Sequence, residues 1–297
     1  MRLALFILSA ALGGSAAVAQ TPPVTTAPAA PPTTAPATPP AVPGVVPKAA
    51  APAPAALDPA NNRLDAILMQ WEAKMKTYNA VGAEVTRTDK SKQTGFTDIH
   101  TGTAKLLRPG YAALHLTKQG AQDRYEWFIC TGTELHEYIA RDKVVRIRPL
   151  PAGFLEQPDD NFLAFLFGPK ATTVKQRYDI KLVKEDQWYV YLEMVPKNND
   201  DRVDFVRGRI VLSIQTYLPR QLWFEQPNAD EVIWDFPRMD PTIRLDRAQF
   251  VAPVVPAGWT VTKLPPPATP APAPTNAPAP GTPTSNPPPT TVRPQGQ

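Results

Sequence analysis

After residue 80 the apolar residues of this chain stop recurring at helical spacing and begin to recur at every second position, and that alternation persists as far as Phe236. "AEVTRTD", "HTGTAKLL", "GYAALHLT", "DRYEWFICT", "ELHEYIA" and "KVVRIRPL" read as short strands. Gly, Asp or Pro separate them at the spacing of a meander of hairpins. Before them, "NNRLDAILMQWEAKMKTYNAV" places Leu64, Ile67, Leu68, Trp71, Met75 and Tyr78 along one side of an amphipathic helix. After them, "PDDNFLAFLFGPKATTVKQRY" predicts a helix capped by Asp159 or Asp160, carrying Phe162, Leu163, Phe165 and Leu166 and stopped by Gly168-Pro169. A second short helix can follow before Tyr178. Strands then resume in "YDIKLVKED", "QWYVYLEMVP", "RVDFVRGRIVLSIQ", "RQLWFEQ" and "EVIWDFP".

This order lacks a regular strand–helix alternation, which excludes a doubly wound sheet. It predicts an α+β domain with one large antiparallel sheet. Two helices cannot cover a flat sheet of that size, so the sheet must curl around them, leaving either a packed core or a cavity. The alternation groups Tyr125, Trp127 and Ile129 opposite Glu126, and Trp188, Val190, Leu192 and Met194 opposite Glu193. Ile210 and Leu212, Leu222 and Phe224, and Val232 and Trp234 repeat the arrangement, so one face reads as broadly apolar and aromatic. Those side chains are either ordinary core or the lining of a ligand cavity.

The ends of the chain are of another kind. MRLALFILSAALGGSAAVAQ has one charge, Arg2, then an apolar run and Ala17-Val18-Ala19, the pattern of a signal peptide over residues 1–19. That run is too short to span a bilayer. No cysteine follows it to take a lipid anchor, so the expected product is periplasmic or secreted, with no transmembrane segment. Of 38 prolines, 13 fall between Pro22 and Pro59 and 15 from Pro253 onward. Residues 20–56 and 265–297 are therefore expected to be extended Pro-rich tails, and 57–264 the folded domain. Removing Arg2, Lys48, Lys263 and Arg293 against Asp58 leaves the middle nearly neutral, which gives no case for nucleic-acid binding. The one cysteine, Cys130, cannot form an intramolecular disulfide and sits in a strand as a small hydrophobe.

No Gly-x-Ser-x-Gly elbow, His-Glu-x-x-His, phosphate loop or EF-hand loop occurs, and enzymatic function has no support in the motifs. His100, His115 and His136 are too scattered to propose a metal site, and no cofactor is expected. Asp159-Asp160 suits a helix start. Asp200-Asp201, in "PKNNDDR", suits a hairpin turn.

"GTAKLLRPGYAALHL" resembles the stretch after the first helix in periplasmic lipoprotein carriers of the LolA/LolB type, where a strand ends in an Arg-Pro pair. "CTGTELHEYIARDKVVRIRPL", "DNFLAFLFG" and "FVAPVVPAGWTV" continue the similarity in order, over about residues 61 to 263. Among such proteins the chain looks closest to a planctomycete branch of secreted proteins with Pro/Ala-rich ends. His136 stands where the family has an aromatic residue, and Ala112 and Ala113 where it has bulkier ones.

The resemblance implies an incomplete antiparallel β-barrel curled around a few helices, whose apolar concavity binds acyl chains. It also implies that Arg108 locks a lid by bonding backbone carbonyls, a role for which a guanidinium with five fixed donors is chemically suited. Leu106, Leu114, Tyr125, Trp127, Ile129, Trp188, Leu192, Met194, Leu212, Phe224 and Trp234 become candidate lining residues, and Phe162, Leu163, Phe165 and Leu166 the lid helix. The expected partner is the acyl chains of a lipoprotein or another lipid, with an envelope protein as a further possible partner. The alternative is a structural or adaptor protein with a filled cavity, binding through its Pro-rich tails.

Overall fold

The computed structural model describes residues 56–150 and 170–265. The signal peptide, the bulk of both Pro-rich tracts and the helix expected around Phe162, Leu163, Phe165 and Leu166 lie outside the described residues.

Helix α1 (Arg63–Lys76) starts where Asn62 accepts hydrogen bonds from the Leu64 and Asp65 backbone N–H groups, and ends with Lys74 and Lys76 in its last turn. Its Ile67, Leu68, Trp71 and Met75 are almost wholly buried. The aliphatic members of that stripe contribute about 1.5–3 kcal/mol each. Six strands follow as a meander: β1 (Ala80–Lys90), β2 (Thr97–Leu107), β3 (Tyr111–Lys118), β4 (Ala121–Thr131), β5 (Glu134–Ile139) and β6 (Val144–Pro149). After α2 (Ala171–Arg177) come β7 (Tyr178–Glu185) and β8 (Tyr189–Pro196). A one-turn helix α3 (Asn199–Arg202) leads to β9 (Arg207–Ser213), β10 (Pro219–Glu225), β11 (Glu231–Asp235) and β12 (Met239–Asp240). A 3-10 turn (Arg247–Phe250) and β13 (Thr260–Lys263) complete the described chain.

The strands form one unclosed sheet in the order β13-β6-β5-β4-β3-β2-β1-β11-β10-β9-β8-β7, with β12 also on β1. It is the expected curled α+β sheet around a few helices. It is mixed rather than purely antiparallel, because β13 runs parallel to β6. The two meanders join where β1 pairs with β11. On the inner face, cross-strand rows such as Val81–Leu106–Ala112–Cys130–Leu135 and Trp234–Leu222–Ile210–Leu192 meet the α1 stripe in one apolar cluster. Cys130 belongs to it, and burial pushes its thiol up to about 12, so it behaves as the expected hydrophobe.

Two local expectations change. Asp200-Asp201 lies in α3 rather than in a tight hairpin turn, and β9 begins only at Arg207. The longer connection lets Phe205 turn inward against Tyr178 and Phe224, at ring separations of 5.9 and 5.0 Å. It also sets Asp201 on the Arg177 guanidinium.

The outer face of β1–β6 is covered by the chain after β12, a strap unmarked by any alternation. It crosses β1 where Ile243 fills the space above Gly82, and β2 where Lys105 bonds Gln249 at 3.1 Å. Phe250 then packs on Tyr111 of β3, with ring centroids 5.7 Å apart. Trp259 stacks on Tyr125 of β4, and the Tyr138 hydroxyl of β5 donates to the Pro253 carbonyl. The strap ends as β13, paired with the β6 edge.

Helix α2 is held to α1 by charge. Glu72 accepts the Ala171 backbone N–H at 2.9 Å, the first turn of α2, which has no side-chain cap of its own. Lys175 donates to both oxygens of buried Asp65 at 2.8 and 3.0 Å, and the Asp58 backbone N–H donates to the same carboxylate. Burial pushes the Asp65 carboxyl up, but the Asp58 N–H and Lys175 outweigh it and hold it below the usual range.

A depressed carboxylate stabilises the fold above its unfolded-state pKa near 4, and that stabilisation is lost as pH falls through the folded value. Asp65→Asn is therefore expected to cost about 1–3 kcal/mol at pH 7 in urea unfolding, with the deficit shrinking in acid. At Gly102 an added Cβ would sit 1.8 Å from the His115 carbonyl oxygen. Gly102→Ala is expected to destabilise by at least about 2 kcal/mol, read as a lower urea midpoint at unchanged slope.

Candidate functional site

Arg108 follows β2 directly, at a turn closed by Gly110 with φ +80°. The strand delivers its side chain to the end of α1, where the last carbonyls have no intrahelical partner. Arg108 Nε donates to the Tyr78 carbonyl at 3.2 Å and a terminal nitrogen to the Met75 carbonyl at 3.5 Å, while its backbone N–H bonds the Asn79 carbonyl. Met75, Val81 and Leu106 lie beside it around a very small cleft. The guanidinium thus joins the β2–β3 hairpin to the C-terminal end of α1.

Of the candidate lining residues, the structure brings together Leu106, Leu192, Met194, Leu212, Phe224 and Trp234 in the inner-face cluster, with Leu114 packed against it. All but Leu114 are buried under α1 and one another. Within this cluster the Trp71 indole N–H is buried with no hydrogen-bond partner among the described residues.

Four candidates lie elsewhere. Tyr125, Trp127 and Ile129 are on the outer face, because Glu126, Phe128 and Cys130 take the inner one. Tyr125 lies under Trp259 of the strap. Alternation assigns residues to a common face but does not say which face the helix covers, and here the strap makes the outer face apolar as well. Trp188 is 58% exposed at the β7–β8 hairpin. There Asp186 accepts the Trp188 and Tyr189 backbone N–H groups, which hold its carboxyl at about 2.

Sequence reasoning missed the charges of the inner face. Arg87 continues the inward row of Val81 and Val85 and is 2% exposed. Its guanidinium donates twice to Glu126, at 2.7 and 3.0 Å, and once to Asp89 at 2.9 Å. It lies 5.6 Å from the Trp234 ring centre, and His100 Nδ1 stands 3.4 Å from both Arg87 and Asp89. Burial works against the Arg87 charge, but the two carboxylates outweigh it and raise its pKa. Glu137, opposite Phe128 and Arg146, is 2% exposed, and burial pushes its carboxyl up against the pull of Arg146 and Arg148. The available signal was a charged residue in phase with an apolar alternation.

The histidines are not gathered. His115 lies between the Tyr125 and Trp127 rings outside, where burial lowers its pKa, and His136 meets Glu134 at 3.0 Å. Among the described residues no group of His, Cys, Asp and Glu could hold a metal ion, and no helix is long and apolar enough to cross a membrane.

No family model matches the sequence, and no curated protein matches it. Solved structures do. A putative outer membrane lipoprotein-sorting protein domain from Vibrio parahaemolyticus is 10% identical, with a TM-score of 0.33 over 62% of this chain and 94% of that one. A LolA superfamily protein from Nitrosomonas europaea is 10% identical, with a TM-score of 0.33 over 64% and 97%. The lipoprotein LppX from Mycobacterium tuberculosis is 10% identical, with a TM-score of 0.38 over 63% and 100%.

Proposed function

We propose that this chain is an exported, non-enzymatic binding protein that holds the acyl chains of a lipoprotein or another lipid on its inner face, for transport or presentation in the cell envelope. The observation that supports this reading best is the continuous apolar cluster lining an unclosed sheet, which includes a buried Trp71 N–H with no partner among the described residues. An ester or amide carbonyl on an incoming chain would satisfy that donor. Each buried methylene would add about 0.8 kcal/mol, which favours long chains over particular head groups.

The mechanism is exchange. The side chains of α1 fill the inner face in the state described, and acyl chains take their place when α1 parts from the sheet. Arg108 opposes that parting through its bonds to the Met75 and Tyr78 carbonyls. A second reading, a filled structural or adaptor module that binds through its Pro-rich tails, is favoured by the complete burial of Leu192, Met194, Ile210 and Leu212.

Native mass spectrometry of the full mature chain separates the two. The carrier reading expects a one-to-one complex with a triacylated lipopeptide, none with its deacylated form, and retention of the complex after deletion of the tails. A chain that ignores the acylated peptide overturns it. Arg108→Leu removes at least the two side-chain hydrogen bonds to the Met75 and Tyr78 carbonyls, worth about 1 kcal/mol each, so Tm should fall by several degrees. Transfer of bound lipopeptide to acceptor vesicles should become slower, and equal release by variant and parent counts against a lock at Arg108.

A further inference from the structure

The inner face changes character at the end remote from Arg108. His100 lies eight positions earlier on β2, about 26 Å away along an extended strand. Here the ends of β1 to β5 border an open cleft of about 100 Å³. Such a space admits several water molecules, and so a tetrahedral oxyanion.

Its charges are arranged in two layers. At the floor, Glu126 is engaged twice by Arg87 and closed off by it. At the mouth stand Lys118 from β3, Arg124 from β4 and Arg141 from the β5–β6 turn. Lys118 holds Asp98 at 2.7 Å and Arg141 holds Asp142 at 2.9 Å. Arg124 has no carboxylate partner among the described residues. Asp98 also lines the cleft but is held by Lys118, so the donor with no carboxylate to leave is Arg124, while the solvent-exposed Lys118–Asp98 and Arg141–Asp142 pairs are weak enough to exchange for an occupant's oxygens. The three cations come from β3, β4 and the β5–β6 turn. Convergent donors of this kind suit an anion with several oxygens rather than a flat amide or a cation.

The cleft also borders the apolar cluster. Arg87 at its floor lies over Trp234, and Glu126 is the cross-strand partner of Leu116, which is wholly buried. The Arg87–Glu126 pair lies between the cleft and those rows, so an amphiphile whose chains enter the apolar rows would carry its charged group past that pair to the mouth cations. We infer that the cleft of Lys118, Arg124 and Arg141 is a binding site for a phosphate-class oxyanion, supplied by the head group of the amphiphile carried on the inner face. The inference rests on the carrier reading for the source of the phosphate, whereas the anion chemistry stands on the cleft alone.

Isothermal titration of the full mature chain with dioctanoyl phosphatidic acid, dioctanoylglycerol and inorganic phosphate tests it. The phosphate-bearing lipid is expected to bind at least about tenfold tighter than the uncharged one of equal chains, since a charge-assisted hydrogen bond is worth that much. Arg124→Glu should abolish the margin without weakening dioctanoylglycerol. Arg124→Ala, which leaves no buried partner behind, should reduce it, and raising the salt should shrink it in the parent.

Equal affinity for the two lipids, or a margin insensitive to both variants, overturns the anion site and leaves the carrier reading standing. Binding of inorganic phosphate that is lost in Arg124→Glu, with neither lipid bound, supports the site, names free phosphate as its source and removes the carrier reading. No binding of any of the three overturns both.

Discussion

Among the described residues an unclosed sheet of thirteen strands has an inner face that is mostly apolar and an outer face that is apolar in part over β1 to β6. Those apolar surfaces cannot face water without forfeiting the burial that stabilises the fold. The molecule answers that constraint with unlike covers. Inside, α1 drives Ile67, Leu68, Trp71 and Met75 into rows supplied by both meanders. Outside, over β1 to β6, a strap with little regular structure carries Ile243, Phe250 and Trp259 across the strands in sequence. Curling brings distant inner rows onto one helix, and the β1–β11 pairing makes the two meanders one surface.

The inner cover is held at its ends by polar contacts rather than by more apolar surface. Arg108 bonds the carbonyls at the C-terminal end of α1, and Asp65 and Glu72 fasten α2 beside it. Polar contacts exchange more readily with water than a packed stripe does, since each is worth only about 1 kcal/mol net. A helix seated by an apolar stripe and latched by such bonds can be displaced by a ligand that offers equivalent apolar surface. That is the physical basis on which a packed inner face and a binding function are compatible. The polar pole at Arg87 extends the same face, so that it grades from aliphatic rows to a charged cleft.

Much of the architecture was legible before any coordinates. The stripe of α1, every strand of both meanders and the inward positions Leu192, Met194, Leu212, Phe224 and Trp234 follow from periodicity. Arg108 could be singled out only through the resemblance carried by its Arg-Pro pair, since the turn residues alone mark a hairpin and not a bond to helix carbonyls. The short strands β12 and β13 could not, because pieces of two and four residues show no alternation. Nor could the strap, whose anchoring aromatics are spaced by no period.

The sequence by itself determined which residues share a side of each strand, since that depends only on the two-residue repeat of an extended chain. It thereby determined an open antiparallel meander over a helix. Only the tertiary structure decided which side is inside. "DRYEWFICT" offers an aromatic side and a mixed side, and the aromatic side faces out because the strap returns over it, while Glu126 turns in because the Arg87 guanidinium of β1 compensates its charge. Such pairings join residues 39 positions apart, and their energy exists only once the sheet has brought them together.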